Sequence, residues 1–188
     1  MKEEKEADHT NRYIRLYYLK GAYGKVTAYL EERKDEMISD AWTNYRAGES
    51  YLQSGRYKQA LGYFESAVSL APADLDFREK LGQSLAQSGD LARSSDVFEK
   101  IIRDNPRYAA AYNNLGYNYI LQGDSVHAEP LFLEALNLDP DYEIALANLA
   151  SLYLRHPGSG RATPYIRRLI QLDPENKTYR NLLLQNSN

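Results

Sequence analysis

Three histidines, His9, His127 and His156, are the side chains of this 188-residue chain best suited to metal ligation or proton transfer. None has a second histidine or a carboxylate at a recognised ligand spacing, and a metal site needs three or four convergent groups, so they read as surface or turn residues. The absence of cysteine removes thiolate nucleophiles, thiolate zinc sites and disulfides. The stretch HPGSGR at 156–161 lacks the Lys-Ser/Thr end of a phosphate-binding loop and follows no strand, so it predicts a hinge. Glu31, Glu32, Asp35 and Glu36 interleave with Arg33 and Lys34, the pattern of a solvated helix face and not of two acids converging across a cleft. The expectation is a protein that is not an enzyme and needs no metal or cofactor.

Composition narrows the partners. Lys and Arg number 23 against 26 Asp and Glu, a net charge of −3, which removes the electrostatic argument for nucleic acid. Apolar residues at 43% and charged residues at 26% suit a folded domain and not a disordered chain. Apolar runs are too short for membrane insertion, and MKEEKEADHTNR precedes nothing like a signal peptide. The chain as written is expected to be cytoplasmic, or periplasmic or exported if excised from a longer protein.

The elements that position any site follow from a repeat. Pro72, Pro106, Pro140 and Pro174 are spaced by 34 residues, as are Gly48, Gly82 and Gly116 (with Ala150 next in phase) and Gly55, Gly89 and Gly123. Cutting at that period gives units at 41–74, 75–108, 109–142 and 143–176. The third carries Tyr112, Leu115, Gly116, Tyr119, Ala128, Phe132, Ala135 and Pro140. The first departs from that series at Asn44 and Ala47, the second at Arg78, Ser94 and Ile101, and the fourth at Leu169. This series resembles the tetratricopeptide repeat (TPR) family, whose helix–turn–helix unit has this period. The resemblance implies an all-α, right-handed α-solenoid of TPR repeats with helical caps.

The spacing has its own physical reading. Apolar residues recur three and four apart, as in Leu115 and Tyr119 or Phe132 and Leu136, which is one helix face. Gly116, Ala128 and Ala135 let two backbones approach, the glycines of QSGR, QSGD and LQGD end the first helices, and the periodic prolines end the second. Pro130 and Pro164 fall early in second helices, where proline costs little. Residues 1–40 predict an N-terminal helical cap or degenerate repeat, broken at Gly21 to Gly24, with Tyr13, Leu16, Tyr17, Val26, Tyr29 and Leu30 buried and 1–7 frayed. Residues 177–188 predict a capping helix that covers the last unit with Leu182, Leu183 and Leu184. Tyr18, Tyr23, Tyr45 and Tyr63 exceed the needs of the repeat and stand as candidates for an exposed aromatic surface.

The family resemblance also implies where a partner sits: the first helix of each unit lines a concave groove. The sixth place of those helices holds Arg46, Lys80, Asn114 and Asn148, all hydrogen-bond donors suited to peptide carbonyls and carboxylates. The fifth and ninth places add Tyr45, Glu49, Glu79, Gln83, Asn113, Tyr117, Ala147 and Ser151, with Trp42, Ile120, Leu121 and Leu154 as apolar area. Lys80 has Glu79 and Asp76 as candidate ion-pair partners. The two-carboxylate clamp of chaperone-binding relatives is absent, since its places hold Tyr45, Glu49, Lys80, Ala110 and Asn114. Started one unit later, the places hold Glu79, Gln83, Asn114, Ile144 and Asn148, and only Asn114 matches. The expected function is a non-catalytic adaptor or scaffold that binds a peptide or protein partner of unspecified identity. The alternative is a structural module that self-associates, with the N-terminal hairpin as the homo-oligomer contact, or that positions parts of a larger enzyme or secretion assembly.

Overall fold

The computed structural model describes residues 2–33, 38–155 and 160–186. The charged residues Lys34, Asp35 and Glu36, together with His156 and hinge residues 157–159, lie outside the described residues. Among the described residues every regular element is a helix: α1 (Lys2–Leu19), α2 (Tyr23–Glu32), α3 (Ala41–Gln53), α4 (Tyr57–Leu70), α5 (Leu75–Gln87), α6 (Leu91–Asp104), α7 (Ala109–Leu121), α8 (Ser125–Leu138), α9 (Glu143–Leu154), α10 (Thr163–Leu172) and α11 (Lys177–Asn186). No described helix is long and apolar enough to cross a membrane.

Local chemistry sets the helix ends. Asp40, Asp74 and Asp124 cap α3, α5 and α8 by accepting from the backbone N–H of Thr43, Phe77 and His127. Gly55, Gly89 and Gly123 turn the chain at φ of +73°, +87° and +80°, a conformation that disfavours a Cβ. Ala71, Asp139 and Asp173, each before a periodic proline, leave the helical region with φ of −138°, −138° and −128°.

The chain forms two compact units, Met1–Val97 and Phe98–Asn188, with the boundary inside α6. In the N-terminal unit, α1 and α2 pack on α3, and α3 pairs with α4. Ile14, Val26 and Leu30 join Ala47, Tyr51, Ala60, Phe64, Leu81 and Leu85 in one apolar cluster. A Cβ at Gly48 would lie 2.7 Å from the Phe64 ring, so glycine is what lets α3 and α4 close.

Several expectations need correction here. The first helix spans Lys2–Leu19, and the break falls at Lys20 to Ala22 where Gly21 to Gly24 was expected, with Gly24 inside α2. Leu16 is 48% exposed, while Ile14, absent from the expected buried set, is fully buried. The face of α1 turned inward runs through Thr10, Ile14 and Tyr17, and Leu16 lies about 200° around the helix from Ile14. The surplus tyrosines are partly buried and find ring partners: Tyr18 meets Tyr23 edge-on at 5.8 Å, Tyr63 stacks on Tyr51 at 5.3 Å, and Tyr45 lies against Phe64 and Phe77.

Two departures from the family series have a clear use. Buried Asn44 donates through Nδ2 to the carbonyls of Ile38 and Asp40 at 2.8 and 3.0 Å, fixing the chain that enters α3. Buried Ser94 donates through Oγ to the Gly82 carbonyl at 2.8 Å, joining α6 to α5 with a hydrogen bond where alanine would give contact alone.

In the C-terminal unit α7 pairs with α8, and α9 with α10. Ala128, Phe132, Leu149, Ala150, Leu152, Tyr153, Ala162 and Ile166 form its core, and Leu182 and Leu183 of α11 pack against it. Leu184 is 68% exposed and takes no part in that cover. Pro164 lies at the start of α10, and Pro130 is the sixth residue of α8, in its second turn. Tyr153 donates to Glu129 at 2.9 Å, and Arg161 bonds both, which ties α9 to α8 and to the residues that lead into α10.

Candidate functional site

In the N-terminal unit α3 brings Trp42, Tyr45, Arg46 and Glu49 to one face, and α5 brings Asp76, Glu79, Lys80 and Gln83 beside them. The spacing of three and four along each helix is what aligns these side chains. Trp42, Tyr45, Asp76, Glu79, Lys80 and Gln83 line a cavity of about 280 Å³. The Trp42 ring, 46% exposed, meets Tyr45 and Phe77 edge-on at 5.6 and 4.8 Å. Arg46 lies 5.7 Å over the Trp42 ring.

Lys80 pairs with neither Glu79 nor Asp76; its Nζ stands 3.3 Å from Oε1 of Glu49 on the adjacent helix. Residues one apart on a helix face different ways, so Glu79 is turned from Lys80 and instead accepts from Gln83, one turn on, at 2.8 Å. The Glu49 oxygen is buried and is held by charge without an aligned hydrogen bond. Burial pushes the Tyr45 hydroxyl well above its ordinary pKa, and the negative field of Glu49, Tyr18, Asp76 and Glu79 adds to that. Tyr18 of α1 is shifted the same way, by burial first and then by Glu49.

In the C-terminal unit α7 and α9 supply the second face. Asn113 is only 2% exposed and acts from behind, accepting from Asn148 Nδ2 at 2.9 Å. That bond fixes the Asn148 amide and leaves its second N–H and its carbonyl oxygen for a ligand. Tyr117, Ile120, Leu121, Asn148, Ser151, Leu152 and Arg155 line a cavity of about 390 Å³. Asn114 is half-buried on α7, and Tyr117 is 45% exposed. Arg155 was missed, although it occupies the same place in its unit as Leu121 and the repeat phase alone would have found it.

His9 and His127 lie elsewhere. His9 Nδ1 is 3.1 Å from the Tyr29 hydroxyl, and His127 Nδ1 is 2.6 Å from Asp124. The His127 backbone N–H first, and then its ring, hold the Asp124 carboxyl below its ordinary pKa.

Paired helices repeated in phase, with side chains of their first helices gathered around open cavities, define an all-α helical-repeat protein built to present binding surface. Two family models, both described as tetratricopeptide repeat, match residues 51–116 and 109–142. Residues 51–142 of the chain are tetratricopeptide repeats. Comparison with curated proteins gives no match. Among solved structures the chain is similar to MamA, residues 41 to the end, from Desulfovibrio magneticus RS-1, at 19% identity and a TM-score of 0.74, covering 91% of this chain and 97% of that one. It is similar to a thermophilic TPR protein of Thermus thermophilus at 23% identity and a TM-score of 0.69, covering 96% and 98%. It is also similar to YrrB, described as a TPR protein with an unusual peptide-binding site, at 19% identity and a TM-score of 0.66, covering 95% and 90%. The shared fold supports a protein-interaction adaptor or scaffold.

Proposed function

We propose that this chain is a non-catalytic adaptor that binds extended peptide segments of partner proteins, the N-terminal unit through the face of α3 and α5 and the C-terminal unit through the face of α7 and α9. One observation carries the reading: beside each cavity a half-exposed aromatic ring, Trp42 or Tyr117, adjoins an amide already oriented by a neighbour, Gln83 by Glu79 and Asn148 by Asn113. Amides held in place lose little entropy when they meet a peptide backbone. The peptide-binding site named for YrrB is in keeping with this use of the fold. The test is panning of a random peptide library on the immobilised protein, followed by affinities for the enriched sequences. Asn114→Ala with Asn148→Ala is expected to weaken them about tenfold with helicity retained, and to cost about 1–3 kcal/mol of stability because the buried Asn113 oxygen loses its donor. Unchanged affinity in a folded double variant removes the asparagines from the mechanism.

A second reading rests on Leu16 and Leu19, which are 48% and 70% exposed on α1 and suit a contact between copies of the chain. Light scattering across concentration, on the wild type and on Leu16→Glu with Leu19→Glu, decides it: a monomer at every concentration excludes self-assembly.

A further inference from the structure

The cavity of the C-terminal unit, about 390 Å³, has a single charged residue in its lining, Arg155. Arg155 is exposed, and among the described residues it takes part in no ion pair; around it Arg161 is matched by Glu129 and Arg168 by Asp141. Over the whole of α7 and α9 the sequence holds one charged residue, Glu143, which precedes Arg155 by twelve residues, about 18 Å along the helix axis. The acids of α8 are engaged elsewhere, Glu129 by Tyr153 and Arg161 and Glu134 by Asn137, and α10 has none. The carbonyl ends of α7 and α9 come to this side too. Turn N–H groups bond to the oxygens of Asn118, Tyr119, Ile120, Leu152 and Tyr153, which blunts their dipoles.

The polar groups of the cavity favour an acceptor. Arg155 can only donate, Asn148 keeps one Nδ2 hydrogen beyond the one it gives to Asn113, and the exposed Ser151 hydroxyl has a proton to give. These three residues are spaced three and four apart, so their side chains follow one stripe of α9 and its C-cap. A neutral carbonyl satisfies the amide or the hydroxyl but leaves the guanidinium without a counter-charge, whereas an ionised carboxylate accepts a charge-assisted bond from it. Tyr117 and Leu121, 45% and 48% exposed, offer apolar wall to the methylenes of such a side chain. Resting on the peptide-adaptor reading, we propose that this cavity takes an aspartate or glutamate side chain of the bound segment, its carboxylate against Arg155 and Ser151 and its backbone beside the Asn148 amide. No cation stands at that amide, which suits a neutral backbone carbonyl there and not a chain-terminal carboxylate.

Peptides enriched from a random library are made with amidated C-termini, as found and with each Asp or Glu replaced by Asn or Gln. They are titrated calorimetrically against the full chain and against its Arg155→Gln variant. In at least one enriched peptide, replacing a single acid is expected to weaken binding about fivefold, Arg155→Gln to do the same, and the two changes together to do little more than either. Arg167→Gln, which removes another exposed cation of the same unit, is expected to leave affinity within about twofold. Enriched peptides in which no acid matters, acid replacements that act independently of Arg155→Gln, equal losses with Arg167→Gln, or binding that needs a free C-terminal carboxylate overturn the assignment and leave the adaptor reading standing. A library that yields no binding peptide overturns both.

Discussion

Two glycines on helices should answer the same substitution with opposite signs. Gly116→Ala places a Cβ 2.9 and 3.0 Å from the Phe132 ring and 3.3 Å from the Ala128 carbonyl oxygen. Favourable carbon contacts lie at about 3.5–4.0 Å. Phe132 is fully buried and Ala128 is backbone in the facing helix, so neither can give way cheaply. Overpacking of this kind costs about 1–3 kcal/mol, and the better helix propensity of alanine returns about 1 kcal/mol. The net expectation is a loss of up to about 2 kcal/mol. Gly62, within α4, is exposed, and a Cβ there meets nothing within 4 Å. Gly62→Ala keeps the propensity gain alone, about 0.5–1 kcal/mol of added stability. Urea unfolding followed by circular dichroism at the helix band compares the three proteins by midpoint at equal slope. A Gly116→Ala protein that matches or exceeds the wild type, or a Gly62→Ala protein that loses stability as Gly116→Ala does, refutes this reasoning.

Further outcomes follow from individual bonds. Asn44→Ala removes two hydrogen bonds from a buried amide to the Ile38 and Asp40 carbonyls and should cost about 1–3 kcal/mol in the same unfolding assay. A double-mutant cycle of Glu49→Gln and Lys80→Met should return a coupling of about 1 kcal/mol, and additivity would show that their 3.3 Å approach carries no energy. The Asp124 carboxyl has its folded pKa below the unfolded one, so its stabilisation is present above the ordinary carboxylate pKa and is lost as pH falls through the depressed value; carbon-detected NMR of Asp124 should show that low midpoint, and Asn in place of His127 should raise it. Burial first, and then Tyr63, push the Tyr51 hydroxyl up to about 12, so its stabilisation is intact below 10 and lost as pH rises through that value. Absorbance titration at alkaline pH should then show a late-ionising tyrosine class that Tyr51→Phe diminishes.

The period of 34 made most of the fold legible, because each unit must solve the same packing problem: a close glycine, a ring to fill the gap, a left-handed turn and a proline stop. Gly116 against Phe132 and the turns at Gly55, Gly89 and Gly123 could be read before any coordinate, since the constraint acts on the residue itself. The phase of α1 was not legible, because one irregular helix offers Leu16 and Ile14 as equally apolar, and only the packed neighbours choose between them. The binding faces divide the same way. Periodicity placed Trp42, Arg46, Lys80, Asn114 and Asn148 on first helices. The pairing of Lys80 with Glu49, the withdrawal of Asn113 behind Asn148 and the ring contacts of Tyr45 and Tyr63 depend on side chains from adjacent helices. Those partners lie about one repeat or half a repeat away along the chain, and charge and hydrogen bonding are settled by which atoms are near in space.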